Sequence, residues 1–204
     1  YAASLAKLIA TILNIVENTR ILLKKPSFSI CTPYVNAYVP GRDDENRAIG
    51  NNIGVGSTRS RLAIGSPLAI NSYGVQANFQ VSDGFQVGGW AGYSHLRAIG
   101  VGDADVWNYA LTLAFPDLGG EGNQLGFIAG IQPRLTGSDE RVGALLSGGR
   151  RSDPDVGLHL EGFYRVRLND NIIITPGVIV LTAPNHNNDN DTAVIGTVRT
   201  TFSF

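Results

Sequence analysis

Whatever chemistry this sequence offers sits on a few ionisable side chains. His159, Glu161, Arg165 and Arg167 occupy alternate positions of one stretch, and Arg199 stands close to the end of the chain. In an extended segment, alternation places the first four on one face. If that face and the one bearing Arg199 lined a common aqueous passage, the guanidinium groups would set a positive local potential. Such a lining favours anions and can hydrogen-bond phosphates or sugar hydroxyls. The alternative is ion pairing within the wall, since a polar lining must satisfy its own groups.

Other chemistries are poorly supplied. His95, His159 and His186 are not at metal-ligand spacing. Gly54-Val55-Gly56 and Gly100-Val101-Gly102 lack the third glycine of a dinucleotide fingerprint, and no Gly-Lys pair supports a phosphate loop. No Gly-x-Ser-x-Gly elbow occurs. Asp189 and Asp191 lie in a stretch without the acidic spacing and glycine of a calcium loop, and it reads as a hydrated connection. Neither catalysis, a metal nor a cofactor is expected.

Composition narrows the classes further. The net charge of −1 gives no global field for nucleic acid, so no nucleic-acid partner is expected. Charged residues make up 16%, below an ordinary soluble domain, while glycine reaches 25 residues. No apolar run past residue 30 is long enough for a membrane helix. Strands that alternate polar and apolar residues escape such a test. One cysteine, Cys31, excludes an intrachain disulfide.

The elements that would position these side chains are strands. Residues 1–32 stand apart: they hold every lysine and no glycine, and Leu5, Leu8, Ile9, Ile12, Leu13 and Val16 recur at helical spacing. This segment reads as an amphipathic helix or as a leader foreign to the rest. From residue 33 the pattern changes to a period of two. Strands are expected over Tyr34–Val39, Asn71–Val81, Phe85–Leu96, Val106–Phe115, Leu125–Ile131, Val156–Leu168, Ile172–Leu181 and Val194–Phe204, eight in all. Short turns at 82–84, 116–122 and 169–170 alternate with longer connections at 40–70, 97–102, 133–155 and 182–191. One face of each strand collects Phe, Tyr, Trp, Val, Leu and Ile; the other carries Gln76, Asn78, Gln80, His159, Glu161, Arg165, Arg167 and Arg199. A soluble sandwich buries the apolar face, and a membrane barrel turns it to lipid. Periodicity alone fits both. Long strands and aromatic ends favour the barrel, as does the closing stretch with Phe202 and Phe204 on its apolar face.

Several segments, in order, resemble one family. They include Gly88-Gly-Trp-Ala-Gly-Tyr93, Asp105-Val-Trp-Asn-Tyr-Ala-Leu-Thr-Leu-Ala-Phe-Pro-Asp-Leu118, Leu158-His-Leu-Glu-Gly-Phe-Tyr-Arg165 and Arg199-Thr-Thr-Phe-Ser-Phe204. Over residues 34–204 the sequence is similar to the C-terminal part of cyanobacterial OprB-like carbohydrate porins, some of which are called iron-uptake porins. The resemblance implies an antiparallel outer-membrane β-barrel of about sixteen strands, of which this chain holds the C-terminal half. It implies passive diffusion of small hydrophilic solutes, sugars or inorganic ions such as iron, and a homotrimer for the full-length protein. It also implies contact with outer-membrane lipid and with the assembly machinery, for which Phe202 and Phe204 would be the signal. Family members are more than twice as long. An isolated set of eight strands would be filled by its own side chains or would leave open edges.

The expectation is therefore an all-β transmembrane barrel portion over residues 33–204, acting as a porin. The alternatives are a soluble β-sandwich or small-barrel binding module, and a porin fragment that cannot function.

Overall fold

Alternating polarity gives this chain one antiparallel sheet. The computed structural model describes residues 27–31, 56–60, 62 and 64–203. Within them the strands are β1 (Ser27–Cys31), β2 (Leu68–Ser82), β3 (Phe85–Ala98), β4 (Gly102–Pro116), β5 (Gln124–Ser138), β6 (Leu158–Arg167), β7 (Ile172–Leu181) and β8 (Ala193–Phe202). Each pairs with its sequence neighbour in the order β1 to β8, an up-and-down meander. Among the described residues β1 and β8 are edge strands. The helix expected over the first residues and the strand expected at Tyr34–Val39 lie outside the described residues, as does Phe204. β1 falls inside the segment that composition sets apart, and it pairs with β2 from Ser27 opposite Asn78 to Cys31 opposite Gly74.

Two connections differ from expectation. The one near 97–102 is only a turn at 99–101, because β3 and β4 extend to Ala98 and Gly102. Burial of Leu96, Ala98, Ala104 and Val106 holds these extensions together, and Gly100 takes the turn at a φ of +81°. The stretch 133–155 is not a continuous loop either. β5 continues to Ser138, followed by a short helix α1 (Glu140–Leu145). The end-to-end rhythm otherwise holds. Connections 83–84, 117–123 and 168–171 lie at one end of the sheet, and 99–101, 139–157 and 182–192 lie at the other, with the described residues just before β2.

The buried apolar cluster is not a layer between two sheets. It gathers Leu68, Ile70, Leu96, Ala98, Ala104, Val106 and Leu135 from the long-connection ends of β2 to β5. Leu62 from the connection before β2, with Val142 and Leu146 from and just after α1, caps it. Leu68 and Ile70 share strand parity with Gln76 and Asn78, so these segments fold over the polar face.

The apolar face remains uncovered. Tyr73, Phe79, Trp107, Tyr109, Leu111, Phe127, Leu160, Val178, Val194 and Val198 are all exposed, Leu111 at 53% and Val198 at 75%. Aromatic rings border this band at both ends. Near the long connections Tyr73, Tyr93 and Trp107 form a row, with centroids 6.2 and 4.8 Å apart. Near the short turns Phe85, Phe115 and Phe127 form another, at 5.1 and 6.4 Å. From Trp107 to Phe115 the strand advances about 26 Å. Beyond the first row the same face turns polar: Tyr93 donates to Asp105 Oδ1 at 2.6 Å, and Arg97 makes a forked pair with Asp103 at 2.8 and 2.9 Å.

Candidate functional site

The polar face of β6 to β8 carries the charged residues that the sequence singles out. Register fixes their neighbours. Glu161 lies opposite Ile128 of β5 and Ile179 of β7, and His159 opposite Gly130 and Leu181. Arg165 pairs with Gln124, while Thr175 of β7 pairs with Arg199 of β8. The register of β6 on β7 sets Arg165 beside Thr175, so Arg165 and Arg199 flank one buried threonine. Strands two places apart lie about 10 Å from each other, a distance over which two guanidinium groups reinforce a common potential. Arg167 is one alternation further on and forms an ion pair with Asp170 in the next turn.

The five residues thus split into two groups. His159 and Glu161 are buried, at 4% and 6% exposure, and His159 Nε2 lies 3.1 Å from Glu161 Oε2. They form a pair buried within the sheet rather than a solvent-facing one. Arg165, Arg167 and Arg199 are partly exposed and lie toward the short-turn end. Phe163 separates the groups. The tip of its ring lies against Gly126, where a Cβ would come within 2.3 Å of Cζ. Phe202 is exposed on the opposite, apolar face at the end of β8.

A second polar cluster has no counterpart in the sequence reading. At the long-connection end three segments meet around Asp153 and His186. Asp153 Oδ2 accepts from Ser57 Oγ at 2.5 Å and from the Leu135 amide at 2.7 Å, and Arg59 Nη1 lies 3.7 Å from Oδ1. Arg134 of β5 donates to the carbonyls of Asp155 and Asp153 at 2.8 and 3.1 Å. His186 Nδ1 accepts from the Gly157 amide at 2.9 Å, so Nε2 carries the hydrogen and donates to the Gln132 carbonyl at 3.0 Å. Asn185 Oδ1 accepts from the Thr58 hydroxyl at 2.9 Å. The residues 57–60, 151–157 and 183–188 are thereby tied to one another and to β5.

Burial shapes the titration of this clasp. It pushes the Asp153 carboxyl above its ordinary value, against the opposing pull of Ser57, the Leu135 amide, His186 and Arg59. It pushes His186 below the usual histidine value, although Asp153 and the Gln132 carbonyl act the other way. The sequence hides this cluster because its members come from distant loops. The one local signal is Pro184-Asn185-His186, where Asn185 and His186 take φ of 64° and 52°.

Among the described residues no group of three or more His, Cys, Asp or Glu is placed to hold a metal. No described helix is long and apolar enough to cross a membrane, which leaves strand-built membrane proteins untouched.

Comparison with known proteins agrees with the strand pattern. The model of the carbohydrate-selective porin, OprB family, matches residues 43–204. The chain is 44% identical over 135 residues to the uncharacterized protein alr4550 of Nostoc sp., covering 66% of this chain and 22% of that protein. It is 32% identical over 192 residues to the uncharacterized protein sll0772 of Synechocystis sp., covering 84% of this chain and 33% of that protein. It therefore spans a third or less of the length of these relatives. No solved structure matches it. Since one family model runs over every strand from β2 to β8 and reaches the last residue, the chain belongs to the OprB family of carbohydrate-selective porins.

Proposed function

We propose that residues 33–204 are part of the wall of an outer-membrane β-barrel through which small hydrophilic solutes diffuse. The observation that carries this reading is the exposed apolar face between two aromatic rows. A water-soluble sheet would bury that face, whereas a bilayer requires it to be outside. Among the described residues no second layer covers it, so a soluble sandwich lacks the partner it would need. The strands of 10 to 15 residues from β2 to β8 are long enough to cross a bilayer. The family is one of channels, not of enzymes. The edges that β1 and β8 present among the described residues would join the remaining strands of a longer protein, and three such proteins would form the homotrimer.

In this reading Arg165, Arg167 and Arg199 face the aqueous lumen and favour anions or hydroxyl-rich solutes; sugars, and inorganic ions such as iron, are the solute classes concerned. His159 and Glu161 stiffen the wall beneath them. Replacing Arg165 and Arg167 together by glutamine is expected to lower the anion-over-cation permeability ratio at least about twofold in planar bilayers. An unchanged reversal potential in a salt gradient rejects the assignment. Absence of any conductance from the 204-residue chain would favour a fragment that needs its missing strands.

Phe202 and Phe204 are proposed as the signal read by the outer-membrane assembly machinery. Deleting Phe204 is expected to reduce recovery in the outer-membrane fraction several-fold, more than deleting Asn188 from an external connection. Equal recovery of the two deletions would refute the signal.

A further inference from the structure

His186 is held in a way that admits only one protonation state. It is 2% exposed, and both ring nitrogens are occupied. Nδ1 accepts from the Gly157 amide, and Nε2 donates to the Gln132 carbonyl. A second proton would have to sit on Nδ1, directly against the Gly157 hydrogen. We propose that His186 is an acid-sensitive latch: its neutral ring fastens the 182–192 connection to residues 151–157 and to β5, and uptake of a second proton releases it.

Release would not stay local. The next residue back, Asn185, accepts through Oδ1 from both the amide and the hydroxyl of Thr58. Thr58 belongs to the segment that carries Leu62 onto the polar face at the mouth of the sheet. Loss of the latch therefore loosens the segment that covers one end of that face, which keeps its bond from Ser57 to Asp153. A change in conductance on acidification follows from this only if the chain lines a channel, so that consequence rests on the function proposed above. The latch itself does not.

The groups facing His186 set the sign. Arg134 of β5 opposes protonation of the ring, and Asp153 favours it. The Asp155 amide donates to the His186 carbonyl, and the Asp155 carboxylate accepts from the Asn188 amide. Arg59 Nη1 lies 3.7 Å from Asp153 Oδ1. Burial lowers the ring's affinity for protons in the closed clasp, so the released state binds protons more tightly. The closed state is then fully favoured above the ordinary histidine value of about 6.5 and is progressively lost below it. Asp153, whose carboxyl is shifted upward, acts in the reverse sense and favours closure on protonation. Because the protonated carboxyl relieves a buried charge, its effect counters the latch toward more acid pH.

Hydrogen exchange on the folded 204-residue chain in detergent micelles tests this, with opening constants corrected for intrinsic exchange. Between about pH 7 and about pH 5.5, opening of residues 57–60, 151–157 and 183–188 is expected to rise about fivefold, with β3 and β4 unchanged. In His186→Gln, which can accept from Gly157 and donate to Gln132 but does not titrate, the rise should disappear. No rise in the wild type, or an equal rise in the glutamine variant, overturns the proposal. If that variant fails to fold, the carbon-13 NMR signal of His186 in the wild type takes its place. Its titration should coincide with the increase in exchange, and proton uptake without loosening overturns the latch. Exchange reads the clasp whether or not the chain conducts, so failure of the latch and failure of the channel reading are distinguishable.

Discussion

Leu111→Arg is expected to cost about 2–4 kcal/mol when the protein is unfolded from phospholipid vesicles by denaturant. Leu111 stands near the middle of the exposed apolar band, between Gly89 of β3 and Ala129 of β5, and midway between Trp107 and Phe115 of the bordering rows. An arginine there would have to carry its charge into hydrocarbon or bend toward an interface about 13 Å of strand away. On a water-facing sheet the same change at a 53% exposed position would stay within about 0.5 kcal/mol. Leu145→Arg supplies the contrast, since Leu145 is just as exposed but lies on α1 at the long-connection end. Its replacement is expected to be nearly neutral. Equal, small effects of both substitutions would overturn the membrane reading, because lipid is the only medium that distinguishes the two sites.

The same contrast explains which parts of this molecule can be read from its sequence. Alternation is a local property, and a strand imposes it whatever lies on either side. β7 is accordingly found over Ile172–Leu181 as periodicity predicts, and the 83–84 turn follows Ser82 where Asp-Gly requires it. Sidedness is legible too, since Arg165, Arg167 and Arg199 occur on the face opposite to Val178 and Val198. Strand ends are less so. Composition suggests that β5 stops near Ile131, yet Leu135 is buried beneath Leu62 and Val142, and tertiary contact carries the strand to Ser138. Burial also separates residues that sequence treats alike. Glu161 and Arg165 share one strand face, but Ile128 and Ile179 enclose the first while Gln124 and Thr175 border the second. No local pattern encodes what lies on the neighbouring strands.

Asp153 is the extreme case of information carried only by distance along the chain, and it predicts the second large effect. Its carboxylate joins Ser57, 96 residues earlier, to the Leu135 amide of β5. Asp153→Ala would leave that buried amide and the Ser57 hydroxyl without their acceptor and open a void between Arg59 and β5. Each lost charge-assisted bond contributes about 1.5–3 kcal/mol, and an orphaned buried donor costs a comparable amount. A loss of about 3–4 kcal/mol in local stability is therefore expected, measured as accelerated limited proteolysis within residues 56–60 and 151–157. Asp153→Asn should behave differently. It keeps an oxygen that can accept from both donors, and it removes a charge that burial disfavours, as the upward shift of the carboxyl indicates. Loss of the ionic contact with Arg59 works the other way, but at 3.7 Å that contact is longer than a hydrogen bond. The asparagine variant is thus expected within about 1 kcal/mol of the wild type at neutral pH. If alanine and asparagine destabilise equally, the charge itself holds the clasp; if neither does, the three segments are held by the bonds of His186, Asn185 and Arg134 and by the apolar contacts of Leu62, Val142 and Leu146. Only a large alanine effect with a small asparagine effect fits an acceptor placed to satisfy buried donors.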